Sequence, residues 1–478
     1  MPSTTAAASA ASFTYKSTIS VQQQHQQSGT VTGTSNKNHS NTLKFDDGAI
    51  QFRQRICVAI LTHRRLLIRN IRNNTNHSSG MIIGLQNHEA SFLKLIDSMT
   101  NGSKIEINAT GTQLLFQPGI LLGGTIHHDC PVGTVVRTNN NDSASDTEAI
   151  DIATEREIQQ LTVRNIGWYL EGILPLAPFG KEPLCLTLTG ITDNICNSSS
   201  ISLNGDPSCD YIRHTVLPYL SKFGIGGPVR TNHTTSTTDL LDDDIGRPSL
   251  KVIRRGGAPL GGGCVTYTCP IERHTLQPTS IIQDFTDMGK VRRIRGQVIT
   301  CQLVSSSVAA RIAYSAKGIC HKLLPDVWIH TDIHTQKNQN CGPSPSVNMI
   351  LTAETTTGVT FTSEVSLRTG SDESQQRGRE LPEDLGVRGA VLLLQEIQRG
   401  GCIDTNLQSF ILLLMCLCPE HDVCRIRMGP LSPNTIVSLR LFQLALGVTF
   451  KVQPDMETNT VILSGIGIGY KNMARAST

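Results

Sequence analysis

The chain has 478 residues, of which 38% are hydrophobic and 4% aromatic, and carries a formal charge of +3. Such a length exceeds one average domain and points to two domains with appendages, while the near-zero charge excludes a globally basic nucleic-acid binder, so any polyanion surface has to be local. No run of 18 apolar residues suggests a membrane span, and the 14 scattered cysteines without an apolar leader read as reduced thiols of an intracellular protein.

Residues 1–45 are rich in Ser, Thr, Ala, Gln and Asn, include "QQQHQQSG", and read as a disordered tail. The fold is expected to begin at Asp46. "FRQRICVAIL" predicts a helix and "RLLIRNIR" a strand, and "HEASFLKLIDSMTNGSKIEI" predicts a helix, an Asn-Gly break and a strand. About 131–160 the pattern collapses into a polar insertion, and a second one falls at about 230–247. Between them "LTVRNIGWYLEGILPLA" predicts a helix and "LCLTLTG" a strand. Residues 293–370 read as a separate α/β insert, from strand "IRGQVITCQLV" through helix "SSVAARIAYSAKGICHKLL" to strand "DVWIHTDI" and two more strands. A linker at 371–385 precedes a C-terminal part, 386–478, that rejoins the first region, 46–292. Helix pairs and short strands recur along the chain, which suggests a repeated α/β module. The fold class is therefore α/β (α+β).

"RRGGAPLGGGCV", Arg254 to Val265, is the barest stretch of backbone in the chain. Two readings stay open. Gly256, Gly257, Gly261, Gly262 and Gly263 can expose N–H donors to an anion, with Arg254 and Arg255 supplying guanidinium forks. The same glycines can instead make a tight strand-to-strand connection with no ligand. The stretch is neither a Walker loop nor a dinucleotide fingerprint.

This stretch resembles the signature of the RNA 3′-terminal phosphate cyclases. "EASFLKLIDSMTNGSKIEINATGTQLLFQPGILLGGTIHHDC", "LPEDLG", "EIQRGGCID" and "MGPLSPNTI" follow in that family's order, and the resemblance covers roughly 46–472. It implies a large domain of repeated two-helix, four-stranded modules interrupted by a small α/β insert. It also implies an ancestral chemistry, adenylylation of an RNA 3′-phosphate through a histidine near the C-terminus and a Glu-Gly-Gly-Gly-Gln segment near the nucleotide. Here Asn406, or Thr405 one residue earlier, stands in the histidine's place, and Ser409 replaces the motif's Asp. "IQFRQ", ending at Gln54, replaces the glycine segment. An amide or hydroxyl cannot form the phosphoramidate that an imidazole forms. The resemblance implies that His128 and Asp129 face the ancestral pocket; the other reading is a satisfied structural histidine.

These departures match the non-cyclase branch of the family. That branch implies a nuclear and nucleolar assembly factor of the small-subunit processome, supporting pre-rRNA processing and 18S rRNA maturation. Its partners would be pre-rRNA and processome proteins including a nucleolar GTPase, with no cofactor, metal or membrane. An active RNA enzyme, endonuclease or cyclase, is the alternative.

The sequence also offers basic clusters as polyanion surfaces: Arg53, Arg55, Arg64, Arg65, Arg69 and Arg72; Lys290, Arg292, Arg293 and Arg295; and Arg440 on the last helix. Cys416, Cys418, His421 and Cys424 have zinc-ligand chemistry, but their spacing matches no common finger and two of them end an apolar helix.

Overall fold

The computed structural model describes residues 42–73, 83–133, 163–195, 205–226, 246–302, 304–335, 340–367 and 381–475. Residues 1–41 of the expected tail, nearly all of both polar insertions and most of the linker lie outside these residues. The chain is a mixed α/β protein, and one construction recurs in it three times.

The first copy runs β1 (Thr42–Phe45), α1 (Phe52–Thr62), β2 (Arg65–Ile68), α2 (Asn87–Met99), β3 (Lys104–Ile107) and β4 (Leu114–Gln117), with sheet order β1-β2-β4-β3. Only the β1–β2 pair is parallel. The second copy is β5 (Gly124–Asp129), α3 (Ile166–Ile173), β6 (Leu184–Gly190), a helical run ending in α4 (Leu217–Lys222), β7 (Ser249–Arg254) and β8 (Gly263–Cys269). Its order, β5-β6-β8-β7, again has only the first pair parallel. The third copy opens with the two-residue strand β9 (Asp284–Phe285) and is then interrupted.

The interruption carries β10 (Val291–Cys301), α5 (Ser306–Cys320), β11 (Val327–His334), β12 (Ser346–Thr355), β13 (Thr360–Ser366) and α6 (Pro382–Arg399). Its sheet has a different order, β11-β10-β12-β13. The third copy then resumes with α7 (Gln408–Leu417), β14 (Val423–Met428), α8 (Pro433–Leu446), β15 (Lys451–Asp455) and β16 (Thr460–Ile466), in the order β9-β14-β16-β15.

Two details differ from the sequence reading. The fold reaches back to Thr42, because β1 pairs in parallel with β2 and sinks Leu43 to 2% exposure. A four-residue strand beside a polar tail carries no periodicity of its own, so β2 decides its existence. The elements packed on the insert sheet also run past residue 370 to Arg399, since α6 lies against α5, β12 and β13. Gly386 allows that approach: a Cβ there would stand 2.0 Å from Ser315 Oγ and 2.5 Å from the Ile312 carbonyl.

The core joins all three copies. Every residue of α7 is buried, as befits a helix apolar on all sides. It packs on α8, which also meets α1. Gln51, in the left-handed conformation just before α1, donates from Nε2 to the Asn434 carbonyl at 2.9 Å and to Ser438 Oγ at 2.6 Å, tying the first copy to the third. No helix among the described residues is long and apolar enough to cross a membrane.

Candidate functional site

A cleft of about 500 Å³ opens where the three copies converge. The N-terminus of α1 contributes Arg53 and Gln54, that of α2 contributes His88 and Glu89, and α3 contributes Trp168 and Glu171. Asp206 and Tyr211 come from the second copy, Glu396 and Arg399 from the end of α6, and Thr405 and Asn406 from the turn that follows. Asn434, at the start of α8, closes the ring.

The two motifs read as a degenerate ancestral site therefore meet in space. Gln54 Nε2 donates to Ser409 Oγ at 3.3 Å across 355 residues of sequence. Thr405 Oγ1 donates to Glu396 at 2.8 Å, and the Asn406 N–H donates to Asp404 at 3.3 Å. Asp404 is fully buried and caps this turn. Burial, and then the nearby Glu396 carboxylate, push its pKa up to about 8. Tyr211 Oη donates to Asp404 at 3.3 Å.

The cleft's charges are matched one to one. Arg53 pairs with Glu171 at 2.8 Å and lies 4.5 Å over the Trp168 ring. Arg72 pairs with Glu89, Arg164 with Asp206 at 2.9 Å, and Arg399 with Glu396. A phosphate entering here has to displace a carboxylate from a charge-assisted bond, and bidentate arginine pairs are the strong ones. Sequence reasoning missed Arg164, Arg399, Glu396 and Trp168. Two of these lie inside the quoted "EIQRGGCID", so the signal was present, but only the fold shows that they face the cleft.

His128 and Asp129 do not line this cleft. His128 Nε2 shares a 2.8 Å hydrogen bond with Ser91 Oγ, and burial lowers its pKa; Asp129 accepts from Thr189 at the surface. Asp129 is thus held within its own sheet, and His128 by α2 of the first copy.

The glycine-rich stretch is a seam between protein segments. The Arg255 N–H donates to the Asn340 carbonyl at 2.9 Å, and the Gly342 N–H returns to the Arg255 carbonyl at 2.7 Å. The N–H groups of Gly256 and Leu260 donate to Thr192 Oγ1 and Ser344 Oγ, and that of Gly261 to the Gly257 carbonyl. A Cβ on Gly256 would sit 2.3 Å from the Gly263 nitrogen and 2.5 Å from the Gly190 carbonyl oxygen. Gly257 and Gly262 would meet Ser346 and Pro343 in the same way. The bare backbone approaches other backbone, so the anion-nest reading of Gly256, Gly257, Gly261, Gly262 and Gly263 gives way to the tight connection. Arg255 is buried and forks onto Asp210; Arg254 stays exposed on β7.

The basic clusters break up in the same manner. Arg55 is buried against Asp47, with Nη1 on the Gly48 carbonyl, and Arg53 and Arg72 belong to the cleft's ion pairs. Arg64 reaches the Ala445 carbonyl at 3.4 Å. Arg65 and Arg69 are exposed, with Arg69 3.7 Å from Asp46. The six arginines read as one cluster thus form no single basic face, because helix α1 and strand β2 point them in different directions. On the insert, Arg293 pairs with Glu354 and Arg295 with Asp326, whereas Arg292 is exposed, as is Arg440 on α8. Among the described residues no group of three or more His, Cys, Asp or Glu is placed to hold a metal ion; Cys416, Cys418 and Cys424 are core residues and His421 points outward.

Comparison with known proteins adds the following. The family model described as RNA 3′-terminal phosphate cyclase matches residues 44–452. A "Probable RNA 3′-terminal phosphate cyclase-like protein" of Dictyostelium discoideum is 39% identical over 91% of this chain and 100% of its own length. The RNA 3′-terminal phosphate cyclase-like protein of Homo sapiens is 38% identical over 88% of this chain and 95% of its own. A protein of Schizosaccharomyces pombe named for rRNA processing is 33% identical over 82% and 88%.

Proposed function

The chain belongs to the RNA 3′-terminal phosphate cyclase family, and from that premise we propose that it is a cyclase-like member serving rRNA processing without cyclase activity. The observation that carries this reading is the content of the ancestral cleft. Asn406 stands where the family's chemistry needs an imidazole, and Phe52 and Arg53 stand where it needs bare glycine backbone beside Gln54. What remains is a cleft whose cations are matched by carboxylates of this same chain.

In this proposal the protein acts by contact. It is a nuclear and nucleolar assembly factor of the small-subunit processome, bound to pre-rRNA and to processome proteins including a nucleolar GTPase, and it supports 18S rRNA maturation. The name of the fission-yeast relative supports the rRNA-processing part. The domain plan that accompanies it is the three-copy body, interrupted after β9 by the insert that ends with α6.

Depleting the protein from its cells and probing rRNA precursors by hybridisation tests the reading. Accumulation of unprocessed small-subunit precursor is expected, and the Asn406→Ala variant should restore processing as well as wild type does. Normal precursor levels on depletion would overturn the role. Incubating the purified chain with labelled ATP addresses the enzyme alternative, and a covalent AMP adduct would show that cyclase chemistry survives.

A further inference from the structure

The insert sheet leaves its face exposed along β10 and β11, a surface that the proposed function has not used, whereas on the β13 side Thr362 and Glu364 of the same face are buried against Thr215 and Ser208. Alternate residues of a strand share a face. Ile294, Gly296 and Val298 of β10 and Val327 and Ile329 of β11 are buried on the side that carries α5. The opposite face of the same strands carries Arg293, Arg295 and Gln297 on β10, and Trp328 and His330 on the edge strand β11. Arg295 and Trp328 are register partners.

Trp328 is 64% exposed, while the chain's only other tryptophan, Trp168, is buried at 6%. A large aromatic side chain left in water among basic residues is the informative exception to burial. Its surroundings carry an excess of positive charge. Arg295 forks onto Asp326 at 2.9 and 3.1 Å, and Arg293 holds Glu354 at 2.6 Å. Arg292 is exposed and makes no ion pair among the described residues, although it adds to the field that, after the Arg295 hydrogen bond, holds the Asp326 carboxyl below its usual range. Lys317, at the end of α5, places its ammonium 6.0 Å from the Trp328 ring. Asp332, on the same face of β11, accepts from Gln297 at 3.0 Å and from His334 at 2.9 Å, so four cations stand with three carboxylates around one exposed indole.

We infer that the β11 edge of this sheet binds single-stranded RNA, one unpaired base stacking on Trp328 while Arg295 and, from the α5 side of the sheet, Arg292 and Lys317 hold the flanking phosphates. Every base has a π face, so an exposed aromatic in a basic setting suits a single strand in which bases are free to unstack. A duplex keeps its bases stacked and offers the indole nothing. An acidic protein surface would satisfy the charges but leave the indole's exposure without a purpose. The inference rests on the reading that the protein works on RNA, and it names where and in what form.

The two tryptophans make the test direct. Oligouridylate of about a dozen nucleotides is titrated into the full chain while tryptophan fluorescence is read, with filter binding in parallel. Quenching should track binding, vanish in Trp328→Leu and persist in Trp168→Phe. Trp328→Leu should weaken binding by at least about fivefold, the low end of one stacked base, and Arg292→Glu should weaken it and flatten its salt dependence. Both positions are exposed, so circular dichroism of the variants should match wild type. Tight RNA binding without quenching, unchanged by Trp328→Leu, would place the RNA elsewhere and overturn this face while leaving the rRNA-processing reading intact. Equal quenching by poly-glutamate or by duplex RNA would also overturn it. Absence of any RNA binding sinks the face as well, whereas the processing role stands or falls on the precursor assay.

Discussion

Replacing Arg255 with methionine separates the two roles that this arginine could play. In the structure it is a strut. Its guanidinium and the Asp210 carboxylate are 6% and 4% exposed, and they meet through two hydrogen bonds. Burial works against the guanidinium's charge, but Asp210 more than offsets it and the pKa rises. Arg255→Met removes the cation and leaves the buried Asp210 without its guanidinium partner. Breaking a buried pair from one side costs about 3–5 kcal/mol, whereas replacing both members with apolar groups is often close to neutral. Arg255→Met should therefore lower the midpoint of urea unfolding by that amount at an unchanged slope. The double variant Arg255→Met/Asp210→Leu should recover most of the loss, and the cycle should give a coupling above about 2 kcal/mol. The opposite pattern, Arg255→Met costing less than about 1 kcal/mol while RNA binding collapses, would refute the strut and return Arg255 to the ligand-binding role that the sequence suggested.

Other expectations follow from the same geometry. Gly256→Ala should destabilise by at least about 2 kcal/mol, because its Cβ would meet only backbone atoms, at 2.3 and 2.5 Å; a neutral result by urea unfolding would mean that the seam is loose. Asp404 and Glu364 are buried carboxylates with pKa values pushed up to about 8 and about 7. The native state thus keeps protons that the unfolded chain has released, and the stability they contribute, full below about pH 4, is lost as pH rises through the native values. Between pH 6.5 and 7.5 the melting temperature should fall, with each such group contributing at most about 1.4 kcal/mol, and Asp404→Asn should flatten the slope; a melting temperature that rises over this interval contradicts the assignment. Asn406→His should yield no covalent AMP adduct with labelled ATP, since on the proposed reading Phe52 and Arg53 occupy the glycine segment's place. Deleting residues 1–41 should leave the melting temperature unchanged, whereas deleting 1–45 should lower it by removing Leu43 and β1 from the first sheet; equal values would mean that β1 contributes nothing.

Much of the fold could be read from the sequence where periodicity was strong. "FRQRICVAIL" and "HEASFLKLIDSM" are α1 and α2, and "DVWIHTDI" is β11, because each carries its own apolar stripe or alternation. β1 and β9 were illegible for the opposite reason: two to four residues have no period, and only the partner strand makes them strands. The cleft was half legible. Gln54, Thr405 and Asn406 could be named through motif resemblance, and they meet. The fates of the arginines could not be read at all. Composition reports a charge but not its partner, and Asp47, Glu89, Asp210 and Glu354 become partners only after packing. The glycine-rich stretch misled for a related reason. Bare backbone looks the same in a sequence whether it approaches phosphate or another strand.

The interruption after β9 also sets a timetable for synthesis. β9 leaves the ribosome long before β14, its parallel partner, exists, and it must wait while the whole insert emerges. The first two copies can close as they are made, since domains fold as units during translation, but the third cannot. Gln51 waits long: the Asn434 and Ser438 that it grips lie 383 and 387 residues downstream. A nascent or truncated chain can thus hold two finished sheets while the apolar α7 has no bed to lie in, and it is then a natural client for chaperones. The cleft assembles last, so a protein that presents it is one whose translation has been completed.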